Sequence, residues 1–97
     1  MSQLRFTKTA TEDLAILQKN LGNKKALKAV FKTLAFMEIN LRHPSLNSHE
    51  FKGLKGPTGE KVFEVYAQQN TPGAYRIFWY YGWGKDVITI IGIVPHP

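Results

Sequence analysis

The hydrophobic period of this chain changes once, and that change restricts the architectures open to it. Across residues 10–41 apolar side chains recur three and four positions apart, as on one face of a helix. Across residues 61–94 they fall in Val-, Ile- and aromatic-rich runs of strand length. The 43–59 stretch between them is rich in Pro, Ser, Asn, Gly and His, and reads as a loop or a loosely structured first strand. Helices grouped before strands indicate an α+β fold.

In the helical half, Thr9 and Thr11 are N-cap candidates, with Glu12 three residues after Thr9 as in a capping box. Ala10, Leu14, Leu17 and Leu21 share one helical face. Leu21-Gly22-Asn23 then carries a glycine C-cap signal followed at once by a new N-cap, so two helices should meet in a short hairpin. Over residues 24–42 the positions of Leu27, Val30, Phe31, Leu34, Met37 and Leu41 predict a second amphipathic helix, with Lys25, Lys28 and Lys32 on the opposite flank. Phe36 and Ile39 fall off its main apolar face, as packing beneath a loop or as part of a partner contact. His43-Pro44 should end the helix, because the residue before proline is driven out of the α region.

Residues 61–68, 74–81 and 86–94 predict a three-strand meander, broken by Asn70-Thr71-Pro72-Gly73 and Gly82-Trp83-Gly84-Lys85. Val62, Glu64 and Tyr66 alternate with Phe63, Val65 and Ala67. One face can therefore lie on the helices while the other carries polar and aromatic groups. The nearly all-apolar last run suits a central strand, and the extended start, Leu4-Arg5-Phe6, needs a partner in the same sheet. The expected order is β-α-α-β-β-β, with a helical hairpin packed on a small, mainly antiparallel sheet.

At 97 residues the chain makes one domain, residues 1–97, since separate cores arise only in much longer chains. With 43% hydrophobic residues it is too apolar for disorder, and the absence of cysteine excludes disulfides and Cys-ligated metals while fitting a reducing cytoplasm. No membrane-spanning run is present. Thirteen Lys and Arg against seven Asp and Glu give a charge of +6, which points to a polyanion or an acidic protein partner.

No P-loop, HExxH or GxSxG occurs, a nucleophilic cysteine is impossible, and His43, His49 and His96 lack the spacing of a metal site. What the strand half offers is a set of cations, phenols and histidines: Lys52, Lys55, Lys61, Arg76, Tyr66, Tyr80 and His96. Such groups suit RNA cleavage by its own 2′-hydroxyl. That reaction needs a base for the hydroxyl proton, a cation on the non-bridging oxygens and an acid for the leaving 5′-oxygen, but no metal or other cofactor. Arg76 has the planar fork for phosphate, and an imidazole such as His96 exchanges protons near neutrality. Against these stand plainer roles: Arg76 pairing with Glu64 across the ladder, His96 as a solvated end, the helix lysines as a hydrated face, and Trp79, Tyr80 and Trp83 as packing groups.

The strings His49-Glu50-Phe51-Lys52-Gly53-Leu54, Val62-Phe63-Glu64-Val65, Gly73-Ala74-Tyr75-Arg76-Ile77-Phe78-Trp79-Tyr80 and Ile88-Thr89-Ile90-Ile91-Gly92-Ile93, followed by His96, resemble the RelE/ParE superfamily of toxin-antitoxin toxins. The resemblance covers nearly the whole chain and implies the toxin of a type II system. It implies a metal-independent endoribonuclease, an mRNA interferase acting on translated mRNA at the ribosome; the alternatives are a ParE-like inhibitor of DNA gyrase or a catalytically inactive, antitoxin-binding member. Arg76 matches the strand arginine that contacts the scissile phosphate, and His96 the end-of-strand position used as acid, base or charge stabiliser. Lys52 and Lys55 match the region that supplies catalytic lysines, and His49 the histidine of an H-x-L lead-in. Related toxins often carry E-x-R where this chain has Glu64-Val65-Tyr66; Tyr66 can stack or donate a proton but cannot supply that charge. The catalytic set so implied is Arg76, His96, Lys52, Lys55 and Tyr66, with substrate contacts at His49, Lys61, Tyr80, Lys25, Lys28 and Lys32. An acidic cognate antitoxin is the expected partner, and the cytoplasm the expected location.

Overall fold

The structure is a computed structural model describing residues 2–69, 71–82 and 84–96. The turn residue Asn70, Trp83 (expected above as a packing group) and the final Pro97 lie outside the described residues. The chain runs through β1 (Gln3–Phe6), α1 (Lys8–Lys19), α2 (Lys24–Ile39), β2 (His49–Lys55), β3 (Lys61–Tyr66), β4 (Tyr75–Tyr81) and β5 (Val87–Pro95). The strands form one sheet in the order β1-β5-β4-β3-β2, with β1 parallel to β5 and every other pair antiparallel. The expected helical hairpin on a mainly antiparallel sheet is present, and the 43–59 stretch resolves as a 3₁₀ turn at Pro44–Leu46 followed by an additional edge strand.

Element ends differ from the sequence reading for local reasons. Thr7, not Thr9 or Thr11, caps α1: its hydroxyl accepts from the Ala10 amide at 3.1 Å, while Thr11 spends its own hydroxyl donating to the Thr7 carbonyl. Asn20, not Gly22, closes α1; its side chain accepts from the Gly22 amide and winds Leu21–Asn23 into a 3₁₀ turn. That turn carries Leu21 out of the helical face, leaving it 77% exposed. The second helix stops at Ile39, short of His43-Pro44, because the Asn40 carboxamide oxygen accepts from the Arg42 amide and offers the backbone a turn instead of another helical hydrogen bond.

The core lies between the hairpin and one sheet face. Ala10, Leu17, Ala26, Val30, Leu34 and Met37 pack with Val65, Ile77, Trp79, Ile88, Ile90 and Ile93. Phe31, expected on the inner stripe, is partly exposed, as is Ile39. Phe36 packs beneath the loop that follows α2, stacked on His43 with ring centroids 4.8 Å apart. Between β4 and β5 the register shifts, with Phe78 opposite Gly92 and Trp79 opposite Ile90. Past the end of β1 along β5, α1 takes over a sheet amide: Asp13 Oδ2 accepts from the Ile93 N–H at 3.0 Å, tying helix to sheet.

Candidate functional site

Strand alternation brings Glu64 and Tyr66 of β3 onto the face away from the helices, beside Arg76, Phe78 and Tyr80 of β4 and Thr89 of β5. That face is not simply solvated. Glu64, Phe78, Tyr80 and Thr89 are all buried, because the edge strands fold their side chains over it. Phe51 of β2 meets Phe78 edge-on at 4.9 Å, and Arg5 of β1 donates to the Tyr80 hydroxyl and to Thr89 Oγ1.

At the β2 side of this face Glu64, with only 3% of its side chain exposed, holds the Arg76 guanidinium and the His49 ring at once. Arg76 Nη1 donates to Glu64 Oε2 at 2.7 Å, and His49 Nε2 lies 2.7 Å from Glu64 Oε1. The other His49 nitrogen, Nδ1, is 3.1 Å from the Asn47 carbonyl oxygen. Both ring nitrogens therefore lie within hydrogen-bond distance of an oxygen. A buried carboxylate inside an apolar strand requires such partners. The Arg76 guanidinium lies 4.8 Å from the Phe78 ring centre and 5.7 Å from that of Phe51, is 15% exposed, and keeps a buried Nε–H with no hydrogen-bond partner. The cross-ladder pairing with Glu64 is thus real, and it leaves part of the arginine fork unspent.

Tyr66 links this cluster to His96. Its ring centre is 5.9 Å from that of His49 and 6.3 Å from that of His96. The His96 amide donates to the Ala74 carbonyl at 2.8 Å, so the backbone there is tied to the start of β4 rather than trailing into solvent. Beside Tyr66 and His96 opens a cleft of about 480 Å³, walled by Asn47 and by the turn that includes Gln68, Gln69 and Gly73.

Other expected site residues lie apart from this cluster. Tyr80 is 1% exposed, with its hydroxyl taken by Arg5, so its ring offers no surface for a substrate. Lys55 and Lys61 face each other across the far end of the β2–β3 ladder; Lys61 is five residues from Tyr66, roughly 16 Å along the strand. Lys52 is an exposed group on edge strand β2, and Lys25, Lys28 and Lys32 are exposed on α2. Among the described residues no three His, Asp or Glu side chains gather as a metal site, and no helix is long and apolar enough to cross a membrane. The sequence reading gave Glu64 only a pairing role, whereas it anchors both His49 and Arg76. The signal was there in Val62-Phe63-Glu64-Val65, a carboxylate within an otherwise apolar run.

No family model matches the sequence, and no curated protein does. Solved structures do match. A YoeB dimer from Staphylococcus aureus is similar with a TM-score of 0.68 at 16% identity, over 99% of this chain and 98% of that one. A YoeB/ParE toxin from Agrobacterium tumefaciens gives 0.69 at 11% identity, covering both chains fully. An archaeal RelE-RelB complex from Pyrococcus horikoshii gives 0.63 at 15% identity, over 97% of this chain and 93% of that one. The strand motifs and these whole-chain overlays meet in one conclusion: the chain has the fold of the RelE/ParE-type toxins.

Proposed function

We propose that this protein is the toxin of a type II toxin-antitoxin pair and acts as a metal-independent endoribonuclease on translated mRNA. The observation that carries this reading is the cluster in which Glu64 anchors Arg76 and His49 while Tyr66 stands between His49 and His96. It sets two proton-exchanging groups, Tyr66 and His96, on the wall of one cleft, with Arg76 and His49 next to Tyr66. In the proposed reaction His96 takes the proton of the RNA 2′-hydroxyl, whose oxygen forms a new bond to phosphorus. The bond from phosphorus to the 5′-oxygen breaks, and the Tyr66 phenol protonates that oxygen. Arg76 stabilises the negative charge on the non-bridging oxygens, the His49 ring donates a hydrogen bond beside it, and Glu64 fixes both in place. The products are a 2′,3′-cyclic phosphate and a 5′-hydroxyl. With +6 net charge the protein suits both ribosomal RNA and an acidic antitoxin, a partner class that the RelE-RelB complex supports.

Primer extension on total mRNA after a pulse of expression is the test. New 5′-ends within translated codons are expected, reduced about 10²–10⁴-fold by His96→Ala and again by Tyr66→Phe. Intact mRNA with cleaved or unreplicated DNA would instead identify a gyrase inhibitor. A toxic protein that stays fully toxic with both Arg76 and His96 replaced by alanine would rule out the nuclease.

A further inference from the structure

A second cleft of about 250 Å³ lies toward α2, and Tyr66 and Gln69 line both it and the cleft beside His96. Asn47 borders the first, and its neighbours Ser45 and Leu46 border the second. The chemistry of the second cleft differs from that of the first. Its cation is Lys32, whose Nζ stands 6.0 Å from the centre of the half-buried Phe36 ring, and Gln69 contributes an exposed carboxamide. Lys25 and Lys28, on the same helix, do not line it.

We propose that the second cleft is a flanking-nucleotide subsite, in which Lys32 holds a backbone phosphate next to the scissile one and Gln69 contacts the adjoining nucleotide. This rests on the ribonuclease reading, because it takes the strand seated beside His96 and continues it across Tyr66. A single strand fits the pair of clefts better than a duplex, since passing Tyr66 and Gln69 from one narrow cleft to the next requires the chain to bend and its bases to be unpaired. Lys32 is then set apart from the other helix lysines: it makes one specific phosphate contact, whereas Lys25 and Lys28 add only diffuse charge.

The test uses a fluorescent all-2′-O-methyl RNA oligomer, which has no free 2′-hydroxyl and is bound without being cut. Its dissociation constant is measured over a salt series for the wild type, Lys32→Gln, and Lys19→Gln, an equal loss of charge at an exposed position on α1. Each phosphate contact to a single strand contributes roughly 0.7 to the slope of log K against log salt. Lys32→Gln is expected to lower the slope by about that amount and weaken binding several-fold at low salt, while Lys19→Gln leaves the slope unchanged. Equal responses of the two variants would overturn the subsite alone and leave the ribonuclease standing. A wild type that binds no RNA at all would overturn both.

Discussion

Replacing Glu64 by glutamine should unmake the site and much of the stability together, because one carboxylate holds both the Arg76 guanidinium and the His49 ring. Its side chain is 3% exposed and that of Arg76 15%, so the variant leaves a nearly buried guanidinium with no counter-charge. Removing one partner of such a pair costs roughly 3–5 kcal/mol. The His49 arm adds less than about 1 kcal/mol, since that ring is 48% exposed and solvent screens the pair. For a domain of this size the sum corresponds to a fall in Tm on the order of 15–30 °C, read by circular dichroism, with urea denaturation giving the free energy. Arg76→Gln alone strands the buried carboxylate and should cost a similar amount. The double variant Glu64→Gln/Arg76→Gln removes both charges, so it should be more stable than the sum of the two single losses by about 2 kcal/mol or more. Single losses below about 1 kcal/mol that simply add would show that the two groups do not depend on each other, and the reasoning about the cluster would fail.

Two further expectations concern the scaffold. Asp13→Ala removes the acceptor for the Ile93 amide on β5 and should destabilise by roughly 1.5–3 kcal/mol in urea titration, with Asp13→Asn recovering part of the loss. Leu17→Ala should cost about 2–5 kcal/mol, whereas Leu21→Ser, four residues on but 77% exposed, should stay within roughly 0.5 kcal/mol of wild type; comparable losses at the two positions would contradict the placement of the first helix end.

The parts of the fold that could be read beforehand are those governed by period. The helix faces built on Leu17, Val30, Leu34 and Met37, and the strand faces built on Val65, Ile77 and Trp79, follow from side-chain spacing alone. The ends were less legible, because they depend on which of several polar side chains wins a competition for one amide. Thr7 outcompeted Thr9, and Asn20 outcompeted Gly22, through hydrogen bonds no periodicity encodes. Strand β2 stayed undecided between a loop and a first strand because, as an edge strand with Lys52, Gly53 and Lys55, it lacks an alternating apolar face. In the candidate site, the pairing of Arg76 with Glu64 could be anticipated from neighbouring strands. The approach of His49 and the subsite at Lys32 depend on how the loop after α2 folds back, and that is a tertiary fact.

The parallel pairing of β1 with β5 has a consequence for synthesis. Gln3 aligns with Val87 and Phe6 with Ile90, so the earliest strand to leave the ribosome has no sheet to join until the latest one follows it. At about 5–20 residues per second, that wait lasts several seconds or more, during which the helical hairpin can form locally but the sheet cannot close. His96 arrives later still, and its amide docks on Ala74 only after β4 is in place. For nearly the whole of its own translation the chain therefore has no finished Tyr66–His96 surface, and anything that binds it at that moment meets an open chain.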